Sequence, residues 1–157
     1  MGFNMVLRTD NGVIQLLSRT DDGHATTSDS DSGAISDNGR YVAFRSMAAL
    51  VSDDTDSAWD AYLLDRQTNS LTLLSQASNG DQTDDGVLGN IRISGDGRFV
   101  AFGMNDASDL IGGPAGAASV MYDRSSAMLN KFSTDADGAE GHFTSSGPFI
   151  YDETQTL

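Results

Sequence analysis

The sequence predicts an all-β fold built from a repeated unit of four short antiparallel strands. The phrase ISDNGRYVAF (35–44) returns as ISGDGRFVAF (93–102), with seven of ten residues identical at an offset of 58 residues. Each phrase is followed by two further segments with the composition of β-strands. Glycine occurs 17 times in the 157 residues. Serine, threonine, aspartate and asparagine are also abundant, which is typical of short strands joined by tight turns.

The first two strands of each repeat form a predicted hairpin. Asn-Gly (38–39) and Asp-Gly (96–97) stand at its turn. Such dipeptides favour two-residue hairpin turns, because Asn, Asp and Gly tolerate positive φ angles. The segments that follow, 40–45 and 98–102, alternate Tyr or Phe, Val, Ala and Phe. This pattern of aromatic and branched residues predicts buried, central strands.

The last two strands of each repeat follow an irregular loop. In the first repeat they are DAYLLDR (60–66) and SLTLLS (70–75). In the second repeat they are SVMYDR (119–124) and MLNKFS (128–133). A unit of four antiparallel strands with a period of about 40 to 60 residues is typical of a β-propeller blade. A β-sandwich with an internal duplication is the alternative.

The chain is predicted to hold about three blades in a single half-ring domain over residues 1–157. Two blades are complete and span 33–75 and 89–133. At the amino end, MVLRTDNGVIQLLS (5–18) matches the last two strands of a blade. At the carboxyl end, residues 149–151 stand where an innermost strand belongs. The two ends therefore supply a third blade that is split between the termini.

The repeated motifs also resemble a known family. Four features recur in one order over nearly the whole chain: Ile-Ser-x-(Asn/Asp)-Gly-Arg-(Tyr/Phe)-Val-Ala-Phe, an Asp-rich loop, an Asp-Arg turn, and a strand ending in Leu-Leu-Ser or Lys-Phe-Ser. In this they resemble the WD40-like repeats of TolB-type β-propellers. The resemblance implies six blades and a periplasmic or extracellular location. It leaves the function open, because that family includes scaffold, binding and enzyme-appended propellers.

The blade count also predicts the assembly. Three blades cannot close a ring, because closed propellers typically have four to eight. Open blade faces would expose apolar residues and favour association. Two copies supply six blades, and a two-fold dimer is the commonest closed symmetry. We therefore expect a homodimer that forms one six-bladed ring; the alternative is a structural fragment of a longer propeller.

Charge and composition exclude several classes of partner and chemistry. The formal net charge of −14 opposes binding to phosphate backbones, so we expect no nucleic-acid partner. The longest apolar runs are well short of the roughly 20 residues that span a bilayer, so no membrane insertion is expected. The sequence has no cysteine, which excludes a disulfide framework, a thiolate nucleophile and a cysteine zinc site.

The richest polar stretch is SDDTDSAWDAY (52–62), whose aspartates crowd a predicted loop between strands. It carries the carboxylates of Asp53, Asp54, Asp56 and Asp60. Carboxylates that alternate along a loop can supply the oxygen ligands of calcium, so these four residues are a predicted calcium site. The stretch lacks the glycine and glutamate of an EF-hand loop, and a solvated acidic turn is the alternative. The matching loop of the second repeat keeps only Asp106 and Asp109.

The candidate ligand-binding residues are His24, His142 and Trp59. The histidines stand in similar inter-blade stretches, DGHATT and EGHFTS, and the tryptophan lies beside the acidic loop. Ordinary surface-loop histidines and a packed tryptophan are the alternatives. The sequence contains no G-x-S-x-G nucleophile elbow and no histidine pair with zinc spacing, so no catalytic residue is predicted.

These observations favour a non-enzymatic binding or scaffold module whose ligand is a protein, a peptide or a glycan. Calcium is the one cofactor that the motifs suggest. A propeller hydrolase or lyase that uses loop carboxylates and a histidine is the alternative function.

Overall fold

The structure is a computed structural model that describes residues 2–9, 11–20, 22–77, 79–82, 86–112 and 115–131, without the side chain of Asp109. Within these residues the elements are, in chain order, β1 (Val6–Arg8), β2 (Ile14–Leu16), β3 (Ser30–Ile35), β4 (Tyr41–Ser46), β5 (Asp60–Asp65), β6 (Ser70–Leu73), β7 (Val87–Ile93), β8 (Phe99–Met104), α1 (Ser108–Ile111), β9 (Ala118–Asp123) and β10 (Met128–Lys131).

The strands form antiparallel sheets that follow the repeats of the sequence. We call β1–β2 the half-sheet, β3-β4-β5-β6 the first sheet and β7-β8-β9-β10 the second sheet, each written in its spatial order. The prediction of an all-β chain with four-stranded antiparallel units is confirmed. The predicted innermost strand at 149–151 lies outside the described residues.

The first strand of each four-stranded sheet begins earlier than its sequence pattern predicts. The pairing of β3 with β4 shifts register between Asp31 and Ala34, and the pairing of β7 with β8 shifts between Leu88 and Arg92. Such a bulge adds residues to one strand, so side chains on either side of it leave the regular alternation. The alternation on which the prediction rests is therefore visible only after the bulge.

The hairpin turn between β3 and β4 is longer than the predicted two-residue turn. The Ser36 N–H donates to the Tyr41 carbonyl at 2.9 Å, so four residues lie in the loop. Asn38 uses its side chain to accept the Arg40 N–H at 2.9 Å, and Gly39 takes a φ of +68°. The Asn-Gly pair does turn the chain, but the preceding serine closes the hairpin one residue earlier than predicted.

The recurring Gly-Arg and Asp-Arg pairs of the sequence supply the residues that join the hairpin to the third strand of each sheet. In the first sheet, Arg40 makes two hydrogen bonds to the Asp65 carboxylate at 2.7 and 2.9 Å, and Arg66 donates to the Gly39 carbonyl at 2.5 Å. In the second sheet, Arg98 bonds Asp123 at 2.8 and 3.0 Å in the same way. The repeated motif therefore holds each hairpin to its own sheet.

These ion pairs predict how stability depends on pH. The hydrogen bonds from Arg40 and Arg98 lower the pKa of Asp65 and Asp123 below the ordinary value of 3.8. A lowered pKa in the folded chain stabilises it fully above that ordinary value, and the contribution is lost progressively as the pH falls further. We expect Arg98→Gln to lower the urea midpoint slightly at pH 7, because the exposed guanidinium is screened.

The difference in urea midpoint between the parent chain and Arg98→Gln should shrink steadily from pH 4 to pH 2. Unfolding curves recorded by circular dichroism at both pH values measure it. A difference that stays constant over this range would show that the ion pair is not its source.

The first sheet lies between the half-sheet and the second sheet. Alternate residues of its strands point to opposite faces, so each face packs against a different layer. One face of the first sheet packs against the amino-terminal segment through Val42, Phe44, Tyr62 and Leu64. The amino-terminal residues in this contact are Met5, Leu7 and Leu17. The other face packs against the second sheet through Tyr41, Ala43, Ala61 and Leu63. The three layers thus share two separate apolar cores.

Among the described residues, no helix has the length and apolar composition needed to cross a membrane.

Candidate functional site

The acidic loop between β4 and β5 brings together three of the four predicted calcium ligands. Asp54, Asp56 and Asp60 each place one carboxylate oxygen within 4.8 Å of the others. Asp53 does not belong to this cluster: it is exposed, and its carboxylate accepts the Ser52 hydroxyl at 3.4 Å. We call Asp54, Asp56 and Asp60 the aspartate cluster.

Asp60 is the most buried member of the aspartate cluster. It is the first residue of β5, only 1% of its surface is exposed, and it lies beside the apolar core. Its Oδ1 accepts the Ser75 hydroxyl at 2.6 Å, while the Ser75 oxygen itself accepts the Ala61 N–H at 3.1 Å. Its Oδ2 is buried and has no hydrogen-bond partner among the described residues.

Burial also changes the acidity of Asp60. Loss of hydration raises the pKa of its carboxyl group to about 7, and the negative charges of Asp54 and Asp56 act in the same direction. The hydrogen bond from Ser75 acts in the opposite direction but does not outweigh burial. A buried carboxylate beside two others is costly when nothing positive compensates its charge.

Asp54 and Asp56 are held in place by hydrogen bonds within and below the loop. The buried Asp54 accepts the Tyr62 hydroxyl on Oδ2 and the Asp56 N–H, at 3.2 Å, on Oδ1. Asp56 accepts the Ala58 N–H at 2.7 Å. The loop is therefore ordered with its carboxylates turned toward Asp60 and not into open solvent.

Tyr62 supports the site, and its role was not predicted from the sequence. Its side chain is fully buried, and its hydroxyl oxygen lies 2.9 Å from the Ala48 carbonyl, which is the alternative acceptor for the single hydroxyl proton. Burial raises the pKa of Tyr62, and the hydrogen bond to Asp54 raises it further, so the phenol stays protonated and acts as a donor. The signal was available: an aromatic residue with a polar tip, two positions after Asp60 on a buried strand, usually seeks a partner.

Trp59 lies half-buried against the core between the first and second sheets. The Arg45 guanidinium covers its ring at 4.3 Å from the centroid, and Arg45 also pairs with Asp31 at 2.5 Å. The Trp59 carbonyl accepts the Val87 N–H at 2.6 Å, at the start of β7. The ring therefore packs between sheets and shares one face with a cation.

Of the two predicted histidines, His24 lies among the described residues and does not belong to the aspartate cluster. His24 is exposed, with 81% of its side chain accessible, and its Nε2 lies 3.7 Å from Asp22 Oδ2. The other, His142, lies outside the described residues.

Among solved structures, the chain is similar to a crystal structure of the tricorn protease. The TM-score is 0.50 at 14% sequence identity, and the match covers 80% of this chain and 10% of the protease chain. At this identity the match shows the fold alone, which is a propeller-like all-β fold. This chain spans about a tenth of the length of the protease chain.

The sequence comparisons add no closer assignment. No protein-family model matches the sequence, and no curated protein matches it. The resemblance to WD40-like repeats of TolB-type propellers therefore stays a prediction.

Proposed function

We propose that this chain is a non-enzymatic β-propeller module that assembles as a homodimeric six-bladed ring and binds a protein, a peptide or a glycan through its loop surfaces. The observation that carries the proposal is the outward face of the half-sheet. Val6 on β1 and Ile14 on β2 point outward and are 52% and 68% exposed. Leu7, the next residue on β1, points to the opposite face and packs into the core. Apolar residues on a sheet face favour contact with a further layer.

A comparison between equivalent positions of the two repeats also supports a missing neighbour. Ile35 and Ile93 are 58 residues apart, and each is the last residue of the first strand of its sheet. Ile93 packs against the core between the two full sheets, whereas Ile35 is 45% exposed. Ile35 pairs with Val42 on the face of the first sheet that packs against the half-sheet, which consists of β1 and β2 among the described residues. Two further strands beside β1 would bury this side chain.

We assign the missing strands to a second copy of the chain. The half-sheet packs on one face of the first sheet and the second sheet on the opposite face. The last described strand, β10, belongs to the second sheet. Strands from the carboxyl end of one chain would complete the half-sheet of its partner, and the reciprocal contact would close the ring.

Light scattering coupled to size-exclusion chromatography tests the assembly. We expect twice the chain mass of 16.6 kDa. Ile14→Glu places a charge on the outward face of the half-sheet, so we expect at least a tenfold weaker dimer and a monomer peak at micromolar concentration. Met47→Glu is the matched control, because Met47 is an exposed apolar residue of the loop after β4.

A parent chain that runs as a stable monomer at all concentrations would refute the dimer and favour a fragment of a longer propeller. If the Ile14→Glu and Met47→Glu dimers dissociate equally, the half-sheet is not part of the interface. Glycan and peptide arrays probed with the parent chain and with Ile14→Glu then test the binding role, for which we expect signal from the assembled ring only.

A further inference from the structure

We propose that the aspartate cluster binds one calcium ion, which fastens the β4–β5 loop to the first sheet. The ligands are carboxylate oxygens of Asp54, Asp56 and Asp60. This site does not depend on the proposed ring, because all three residues belong to one chain and lie in β5 or in the loop before it.

The spacing of the three carboxylates fits the size of a calcium ion. Calcium binds oxygen ligands at about 2.3–2.6 Å, so two ligands on opposite sides of the ion lie about 5 Å apart. The cluster places one oxygen from each aspartate within 4.8 Å of the others. One ion can therefore contact all three without a change in the backbone. Water molecules and second carboxylate oxygens would complete the six to eight ligands that calcium takes.

The unpartnered oxygen of Asp60 is a second, independent indication of a ligand. Asp60 is 1% exposed, its Oδ1 already accepts the Ser75 hydroxyl, and its Oδ2 has no partner among the described residues. A buried polar atom without a partner costs free energy, and native structures contain few of them. A cation between Asp60 and the loop would supply the missing interaction.

The choice of metal follows from the donor atoms. The cluster consists of three carboxylates, which are hard oxygen ligands of the kind that calcium prefers. Zinc sites in proteins are built mostly from cysteine and histidine. Magnesium demands a near-ideal octahedron and retains several waters, so a partly buried cluster of three carboxylates suits it less well.

The second repeat shows that the fold does not require a carboxylate at the position of Asp60. The residue 58 positions later is Ala118, which is also the first residue of its strand and is 2% exposed. The loops before these two strands have the same length, yet the second has Gly112 and Pro114 at the positions of Asp54 and Asp56. The proposed site therefore occurs in the first repeat only.

Calcium bound here would also affect the segment that connects the first sheet to the second sheet. Thr55 lies between two of the ligands, and its N–H and hydroxyl donate to the Gln82 side-chain oxygen at 3.1 and 2.8 Å. The Trp59 carbonyl, next to Asp60, accepts the N–H at which β7 begins. Fixing the β4–β5 loop would therefore stiffen the connection between the two four-stranded sheets.

Calorimetric titration and thermal unfolding of the full chain test the site. After treatment with EDTA and removal of the chelator, we expect one calcium ion per chain in the titration. We expect the melting temperature to rise by about 5–10 °C at a calcium concentration one hundred times the dissociation constant. Magnesium at the same concentration should produce a smaller rise.

Two variants and one control locate the ion. Asp60→Asn keeps the shape of the side chain and should weaken calcium binding at least tenfold. Asp56→Ala changes a half-buried loop residue, which leaves the core intact, and should do the same. Asp53→Asn removes a neighbouring charge outside the cluster and should bind calcium as the parent chain does.

The proposal is overturned if the parent chain shows neither heat nor a thermal shift with calcium. It is also overturned if Asp56→Ala and Asp53→Asn respond alike, because the signal would then come from general acidic charge. An equal response to magnesium would overturn the assignment to calcium. Loss of the dimer with normal calcium binding would refute the ring alone, so the two proposals fail separately.

Discussion

Phe102→Ala is expected to destabilise the chain by about 3–5 kcal/mol, the usual cost of emptying a buried phenylalanine site. Phe102 is completely buried in the core between the first and second sheets. Its removal leaves a cavity at the contact that holds the second sheet in place. Since domains of this size are stable by about 5–15 kcal/mol, the substitution removes a large share of the free energy of unfolding.

Phe99→Ala is the matched control on the same strand. Phe99 lies three positions earlier on β8 and points to the opposite face; it is half-buried, and the Arg98 guanidinium covers its ring at 4.6 Å. We expect less than half the destabilisation of Phe102→Ala. Urea unfolding followed by circular dichroism measures both midpoints. Equal losses would mean that the second sheet is packed as tightly on both faces.

The order and type of the strands could be predicted because the repeat marks equivalent positions. Val42 and Val100, or Phe44 and Phe102, are 58 residues apart and occupy the same places on β4 and β8. Two copies of one pattern make a chance alternation improbable. The all-β fold and its four-stranded sheets follow from this pattern, and the structure confirms both.

The parts of the fold that sequence reasoning misplaced depend on hydrogen bonds that leave no periodic signal. The bulge in β3 places Ser32 at a φ of +55°, which an alternating pattern cannot indicate. The hairpin loop is four residues long because Ser36 bonds Tyr41 across it. In both cases one local contact outweighs the general preference of the residue types.

The site could be predicted only in part, for a similar reason. Four aspartates in one loop indicate a candidate calcium site, but the sequence cannot separate Asp53 from Asp54. Asp54 belongs to the cluster because its carboxylate turns toward Tyr62 and β5. The sequence does not show which of two adjacent side chains turns in that direction. The burial of Asp60 follows from its position at the start of a strand whose every side chain but the last is buried.

Gly97→Ala is expected to destabilise the chain by about 2–5 kcal/mol, because two costs add. Gly97 takes a φ of +73°, and a residue with a Cβ atom pays about 1–2 kcal/mol in that region. A Cβ atom at position 97 would also overlap the Tyr41 side chain, because it would lie 3.0 Å from Tyr41 Cγ and 3.2 Å from Tyr41 Cβ. Tyr41 cannot move aside easily, since the Arg40 and Arg124 guanidinium groups lie against its ring at 4.8 and 4.2 Å.

Gly39→Ala separates the two costs, because Gly39 is the equivalent residue of the first repeat. Its φ of +68° is nearly the same, but a Cβ there would meet only the Arg66 side chain, at 3.7 Å. We therefore expect a loss of about 1–2 kcal/mol, the backbone cost alone. Urea midpoints of both variants, each made also with Tyr41→Ala, complete a double-mutant cycle. If Tyr41→Ala does not reduce the cost of Gly97→Ala to that of Gly39→Ala, the contact between hairpin and neighbouring sheet is not its source.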